Sequence, residues 1–277
     1  MATSVKFTIE PRDDIRSVDE FVSEISGLSA EDKHWYRGLS STDYKMFPTI
    51  GRSLNYAGRK RTLNAEEERD LLHRFRRRAH PHVGRAITAG EAIFLARHHK
   101  LPTRLLDWSA NALVSLYFAC CEEHKCSTGP DKRGGRVWAM RLRKRRIDLD
   151  PFELAKREKE EHLFRPYEST RDPAHPSTAY AIKIVHPLYN SPRIVAQDGV
   201  FTFHHNPCRC LEDLAGEEFV EDCLDIEKLY SWIVPEASKV KLLEVLSGLG
   251  ITQRTVYPDL DGVAASLWQT EVLFKGA

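Results

Sequence analysis

The chain has 277 residues, of which 42% are hydrophobic and 29% are charged. These fractions are ordinary for a globular protein and argue against extensive disorder, a collagen-like repeat or a low-complexity chain. The longest mostly apolar run, from Ala112 to Cys121, is too short for a membrane span, which needs about 20 residues. No secretory signal is visible at the N-terminus, so we expect a cytoplasmic protein with reduced cysteines and no membrane partner.

The net charge of +1 conceals a strong segregation of charge along the chain. Residues Lys132–Arg146 contain eight basic side chains and no acidic one, whereas Glu212–Glu227 contain eight acidic side chains and no basic one. A second basic cluster consists of Arg74, Arg76, Arg77, Arg78 and Arg85. Because basic surfaces attract phosphate groups, these segments indicate either a nucleic-acid or nucleotide partner or solvated faces without a partner.

Hydrophobic periodicity and turn residues predict the secondary structure in chain order. Alternating or aromatic segments bounded by turns predict strands at 5–10, 34–38, 105–106, 134–142, 181–185, 193–203 and 229–234. Apolar residues at helical spacing predict helices at 18–27, 64–80, 88–99, 110–121, 239–249 and 259–267. The helix at 110–121 is apolar on nearly all sides, so we expect it to be the most buried one. We predict a single mixed α+β domain over residues 1–277, with the charged segment 143–180 as an insertion.

Three segments of the chain each place polar residues at the end of a predicted element. They are Tyr36-Arg37-Gly38, Leu101–Ser109 running on into Asn111–Ala119, and Arg193–Phe201. Together they resemble the FRG domain family, named for its Phe/Tyr-Arg-Gly motif. The resemblance covers a core from about residue 34 to 203, and the tail at 257–262 is similar to the usual end of the family. Residues 204–277 would then form a C-terminal extension that packs on this core.

The order of these motifs also resembles, more loosely, that of the ADP-ribosyltransferases. This second resemblance implies an α+β fold whose split β-sheet cradles NAD as a substrate. It implies NAD-dependent ADP-ribosyl transfer or NAD cleavage, with nucleic acid or protein as the acceptor. The alternative is a non-enzymatic module that binds nucleic acid or a nucleotide. A biological role as a toxin or a phage-defence effector is compatible with either activity.

The same resemblance assigns roles to individual side chains. Arg37 would pair its guanidinium fork with the NAD pyrophosphate or ribose, and Gly38 would let the backbone approach the nicotinamide. Gln197 stands where the transferases carry a catalytic Glu, and a neutral amide does not supply the negative charge that stabilises the departing ribosyl cation. Asp107 and Asp198 are the nearest acidic replacements, so the catalytic candidates are Gln197 and Asp107. The NAD-binding candidates are Tyr36, Arg37, Gly38, Thr103, Arg104 and Ser109.

Structural roles are the alternative for the same residues. Arg37 would form a salt bridge with Asp107, or Asp107 would cap the helix that begins near Ala110. Gln197 would satisfy a buried backbone group at a strand bulge, because buried polar groups are normally paired. Under the functional interpretation, we predict that Arg37, Asp107 and Gln197 converge.

A loop after the third motif carries side chains of the types that bind zinc. They are His204, His205, Cys208 and Cys210. The usual Cys-x₂₋₄-Cys spacing is missing and no second pair follows, so we assign no metal.

Overall fold

The computed structural model describes residues 4–28, 32–52, 54–56, 59–121, 134–143, 182–187, 192–221 and 224–268. Within these residues the strands are β1 (Ser4–Val5), β2 (Thr8–Pro11), β3 (His34–Leu39), β4 (Leu54–Tyr56), β5 (Arg59–Arg61), β6 (Leu105–Ser109), β7 (Gly135–Leu142), β8 (Ile182–Val185), β9 (Gly199–His204), β10 (Phe219–Val220) and β11 (Ile226–Val234). The helices are α1 (Val18–Ser26), α2 (Ala65–Val83), α3 (Ala89–His98), α4 (Ala112–Cys120), α5 (Pro192–Ala196), α6 (Lys239–Gly248), α7 (Gln253–Val256) and α8 (Leu260–Trp268).

A mixed seven-stranded sheet organises the molecule, with the strand order β2-β11-β7-β3-β6-β9-β8. Strand β2 runs parallel to β11, whereas the other neighbours are antiparallel. Two small sheets pair β1 with β10 and β4 with β5. The predicted α+β class with a mixed sheet is therefore confirmed.

Two helical clusters cover one face of the sheet side by side. Tyr36 lies opposite Ser109 in the antiparallel ladder, so the side chains at Tyr36, Ser109, Asp107 and Leu105 share this face. On one side, β3, β7 and β11 pack their apolar side chains against α1, α4 and α6. On the other, β6, β8 and β9 pack against α2 and α3. Asp107 therefore lies on the face where these two clusters adjoin.

Helix α4 is the best-buried helix beside the sheet, as its apolar sequence predicts. Its buried residues are Ala112, Val114, Ser115, Leu116, Tyr117, Ala119 and Cys120. It crosses β3 so closely that a Cβ atom on Gly38 would lie 1.9 Å from the carbonyl oxygen of Ser115. The helix is capped by Asn111, whose side chain accepts from the N–H groups of Leu113 and Val114. Ser109, two residues earlier, is the last residue of β6.

The third motif is predicted to be strand-like over 193–203 with a turn at Asp198-Gly199; the turn is confirmed, but the part before it is a helix. Helix α5 occupies Pro192–Ala196, and strand β9 begins only at Gly199. Proline favours the first position of a helix, and Asp198 takes a left-handed conformation with φ 45° that turns the chain into β9. Among the described residues, none of the helices combines the length and apolar character that a membrane crossing requires.

Candidate functional site

Strands β3 and β6 diverge next to the Tyr-Arg-Gly motif. Their ladder contains the pair Tyr36–Ser109, and continuing this register would place Gly38 opposite Asp107. At that point the side chain of Arg37 links the two strands instead, because its Nη1 donates to the carbonyl oxygen of Asp107 at 2.5 Å. A 3₁₀ turn at Thr49–Gly51 approaches the same place, since Thr49 Oγ1 accepts from Arg97. The sheet is therefore split locally, and Arg37 bridges the split.

The carboxylate of Asp107 is held by arginines from two different elements. Arg97, in the last turn of α3, donates its Nε to Oδ1 at 2.9 Å and its Nη2 to Oδ2. The remaining Nη1 of Arg97 donates to Thr49 Oγ1 at 2.6 Å. Arg37 Nη1 lies 3.7 Å from Asp107 Oδ2. The two-point contact from Arg97 fixes the orientation of the carboxylate, and the positive charge of Arg97 favours its ionised form.

Three arginines act on the ionisation of Asp107. Burial raises the pKa of Asp107, but the charge and hydrogen bonds of Arg97, together with the charges of Arg37 and Arg193, hold that pKa well below its usual value. The carboxylate is therefore ionised at neutral pH, with Arg37 and Arg97 in contact and Arg193 acting through its charge. Its side chain is 38% exposed, against 12% for Arg37 and 20% for Arg97. The arginine cluster, meaning Arg37, Arg97 and Arg193 around Asp107, is thus open to solvent on one side.

Arg193 differs from the other two arginines in how it is held. It lies on α5 with its guanidinium carbon 4.4 Å from the ring centre of Tyr257, which follows α7. Within the described part of the chain, its guanidinium has no hydrogen-bond or salt-bridge partner. The nearby His98 has a pKa below its usual value because of burial and the charges of His99 and Arg193, which outweigh the opposing effect of Asp259.

Gln197 and Ser109 are joined at the end of β6. Ser109 Oγ donates to the carbonyl oxygen of Gln197 at 2.6 Å and accepts from the backbone N–H of Asn111 at 3.0 Å. The side-chain amide of Gln197 donates to the carbonyl oxygen of Val256 at 3.2 Å. The structure thus brings Arg37 and Asp107 into contact and ties Gln197 to the same strand. The amide of Gln197 satisfies a backbone group, although after a helix rather than at a strand bulge.

Arg104 and Thr103 lie at the beginning of β6, away from solvent. Arg104 is fully buried and donates its Nη2 to Glu68 Oε2 at 2.5 Å and its Nε to both carboxylate oxygens at 3.0 and 3.1 Å. Thr103 is also buried, and its carbonyl oxygen accepts from the backbone N–H of Ile50. Tyr36 lies in the core beside α4. Of the predicted NAD-binding side chains, Arg37 is the one that contacts Asp107.

Arg97 is the residue of this cluster that the sequence analysis missed. The signal for it was present, because Ala89, Ile93 and Arg97 recur four residues apart on the side of α3 that faces the sheet. A charged residue on an apolar stripe needs a partner, and Asp107 follows ten positions later in the sequence. The sequence did not show which carboxylate pairs with Arg97, because that depends on the turn between α3 and β6.

The histidine and cysteine residues at the end of β9 and after it differ in burial. His204 is fully buried, and its Nε2 lies 2.9 Å from Thr202 Oγ1, which also accepts from Trp108 Nε1. Burial, assisted by the charge of Arg37, lowers the pKa of His204 to about 3. Cys208 is exposed and Cys210 is buried. In the described ranges, no group of three or more His, Cys, Asp or Glu side chains is placed to hold a metal ion.

Comparison with known proteins locates one family relationship. No curated protein and no solved structure gives a significant match to the chain. The model of the FRG domain matches residues 32–128. This range contains β3, α3 and β6, and with them Arg37, Arg97 and Asp107, whereas Arg193 lies outside it. The part of the chain that builds the split in the sheet therefore matches the FRG domain family.

Proposed function

We propose that the arginine cluster binds the phosphate groups of a nucleotide, with NAD as the first candidate. ADP-ribosyl transfer or NAD cleavage is the proposed activity. The observation that carries the proposal is a partly exposed carboxylate that contacts Arg37 and Arg97, with Arg193 close enough for its charge to lower the pKa of Asp107. Arginine suits this task because its planar fork matches the geometry of phosphate oxygens. A pyrophosphate would bring negative charge to Arg193, which has no hydrogen-bond or salt-bridge partner among the described residues.

Arg193 supplies the open donors for such a ligand. Arg37 and Arg97 already hold Asp107 and Thr49, whereas Arg193 lies against the ring of Tyr257 and has no hydrogen-bond or salt-bridge partner among the described residues. Its N–H groups are therefore available to phosphate oxygens without breaking an existing hydrogen bond. Stacking on the ring fixes the plane of the guanidinium and reduces the conformational entropy that it loses on binding.

The proposed chemistry breaks the bond between the nicotinamide nitrogen and C1′ of its ribose. Nicotinamide leaves with the bonding electron pair, and the ribosyl cation is attacked by water or by a nucleophile of the acceptor, which then loses a proton. Negative charge close to C1′ stabilises this cation. Asp107 is the anionic group of the cluster. Phosphates that bind the arginines would partly neutralise them, so that the arginines would offset less of the negative charge of Asp107. Gln197 would hold a ribose hydroxyl.

The experiment uses NAD labelled in its adenylate half and follows two readouts. One is the release of nicotinamide, and the other is the transfer of label to protein, DNA or RNA. We expect Arg193→Gln to weaken NAD binding at least tenfold in calorimetry. Arg12→Gln is the matched control, because Arg12 also stacks on a tyrosine, at 5.1 Å from the ring of Tyr230, but outside the cluster. Failure of the wild-type protein to bind NAD contradicts the proposal.

Binding without catalysis is the second candidate, and Gln197 is the observation that favours it. Its neutral amide, bonded to the carbonyl oxygen of Val256, supplies no charge to a ribosyl cation. In that case NAD or another nucleotide would bind with the same dependence on Arg193, and no nicotinamide would be released. A toxin or phage-defence role is compatible with either candidate. Its test is growth arrest on expression, which Arg193→Gln should relieve and Arg12→Gln should not.

A further inference from the structure

We propose that the outer face of α2, formed by Arg74, Arg77 and Arg78, binds the sugar-phosphate backbone of a nucleic acid. This basic face is separate from the arginine cluster, and the proposal does not depend on nucleotide binding there. Spacings of three and four residues place these arginines on one side of a helix.

The sequence from Leu71 onward is basic around this face. Residues 71–90 contain five arginines, three histidines and no acidic side chain, whereas the exposed Asp70 lies just before them. Leu72 and Phe75 on the inner side of α2 pack with Ile93 of α3, so the arginines at 74, 77 and 78 point outward and are exposed. The fold therefore presents three arginine side chains to solvent on one side of α2.

The three arginines of the basic face are uncommitted, unlike their neighbours. Arg76 donates to the carbonyl oxygen of Ile87, and Arg85 pairs with Glu91 at 2.5 Å. Among the residues that the structure describes, the side chains of Arg74, Arg77 and Arg78 have no hydrogen-bond or salt-bridge partner. A phosphate ligand would consequently not have to compete with an internal carboxylate for them.

The other basic segment, Lys132–Arg146, shows the opposite arrangement over its described residues 134–143. Arg136 lies over the ring of Trp138 at 5.4 Å. Arg141 pairs with Glu227 at 2.6 Å, and Arg143 donates to the carbonyl oxygens of Lys6 and Ile226. These arginines hold the sheet and the chain beside it together. The described part of this segment therefore offers less to a ligand than α2 does.

Stabilisation of the helix itself does not account for the basic face. Cations favour a helix C-terminus, but the effect falls off within the last turn. In α2 that turn contains His80 and His82, whereas Arg74 lies more than two turns before the end at Val83. Arg77 and Arg78 also lie before the last turn, so the helix terminus does not explain these three side chains.

Nucleic acid fits this face better than a lipid surface. Helices that lie in a membrane interface insert an apolar side into the lipid, and the apolar side of α2 is already covered by α3. Arginine forks bind phosphate oxygens in two-point contacts, and a nucleic-acid strand presents such groups at regular intervals. Nothing in this face reads bases, so binding should be independent of sequence.

The test measures fluorescence anisotropy of short labelled DNA and RNA duplexes over a range of salt concentrations. The triple variant Arg74→Gln, Arg77→Gln and Arg78→Gln is expected to weaken binding at least tenfold at low salt. It should also flatten the slope of log K against log salt by about 1 for each arginine removed. Since the three side chains are exposed, the melting temperature should not change.

The matched control removes the same number of charges from exposed positions on other elements. It combines Arg16→Gln, Lys241→Gln and Arg254→Gln and should retain binding and slope. Equal losses of duplex affinity in both triple variants would show that only the net charge of the protein matters, and this would overturn the proposal. So would the absence of duplex binding at low salt, or tighter binding to phosphatidylserine vesicles that depends on the same three arginines. None of these outcomes bears on NAD binding, which Arg193→Gln tests separately.

Discussion

Two arginine–carboxylate groups meet strand β6, and they differ in charge ratio and in access to solvent. At the beginning of the strand, Arg104 and Glu68 form a one-to-one pair that is almost completely buried. In its middle, Asp107 is partly exposed and faces Arg37, Arg97 and Arg193. The same residue types therefore form two groups that differ in their access to a ligand. A matched, enclosed pair fixes the fold, whereas the open cluster includes Arg193, which has no hydrogen-bond or salt-bridge partner among the described residues and is the arginine that we propose to bind an anion.

The enclosed pair shows what saturation means for a guanidinium group. Glu68 receives hydrogen bonds from Nε, from Nη2 and from the backbone N–H of Arg104. The guanidinium carbon also lies 5.4 Å from the ring of Phe203. A ligand would reach Arg104 only after this arrangement opened. A contact between Arg104 and NAD would therefore require a rearrangement of the protein, whereas a contact between Arg37 and NAD would not.

Breaking the enclosed pair should have the largest effect on stability. Glu68→Ala leaves Arg104 buried without its carboxylate, and we expect the free energy of unfolding to fall by about 3–5 kcal/mol. Urea denaturation measures this change. The double variant Glu68→Leu, Arg104→Met replaces both charges by apolar groups and should recover most of the loss. A single variant as stable as the wild type would show that the pair is not effectively desolvated.

Neutralising the open cluster should have a smaller effect that depends on pH. For Asp107→Asn we expect a loss of about 1–3 kcal/mol at neutral pH, because hydrogen bonds to a charged group are removed from a partly solvated site. The pKa of Asp107 is lower in the folded than in the unfolded chain. Its stabilisation is therefore complete above the ordinary carboxyl pKa of about 4 and is lost as pH falls towards the folded value.

The measurement for Asp107 compares wild type and Asp107→Asn by urea denaturation at neutral pH and near pH 3. The difference between the two proteins should narrow at the lower pH. A difference that stays constant, or grows, would mean that the carboxylate is not the group that titrates. Asp198→Asn, a change of the same kind at an exposed turn position, should show little difference at either pH.

The sequence predicted the elements of the site better than the pairing of its side chains. Strand β3, strand β6 and helix α4 follow from local patterns, and contact between Arg37 and Asp107 was one of the alternatives those patterns left open. The partner of Arg104 was not predictable, because Glu68 is 36 residues away and no local periodicity links them. Helix α5 was missed because Ile194 and Val195 are β-branched and favour a strand, whereas Pro192 begins a helix.

The smallest effect on stability is expected at Arg193, and it is the one that separates binding from folding. Arg193 makes a ring contact with Tyr257 but no hydrogen bond to a described residue, so Arg193→Gln should lower the free energy of unfolding by about 0.5–1 kcal/mol, the usual contribution of a solvent-accessible cation–π contact. Arg37→Lys should show a larger loss, because Arg37 donates to the carbonyl oxygen of Asp107. Both variants should weaken NAD binding, since each removes a guanidinium fork. If Arg193→Gln instead lowers stability as much as Arg37→Lys and leaves NAD binding unchanged, then Arg193 belongs to the scaffold, and the open cluster has the same structural role as the buried pair of Arg104 and Glu68.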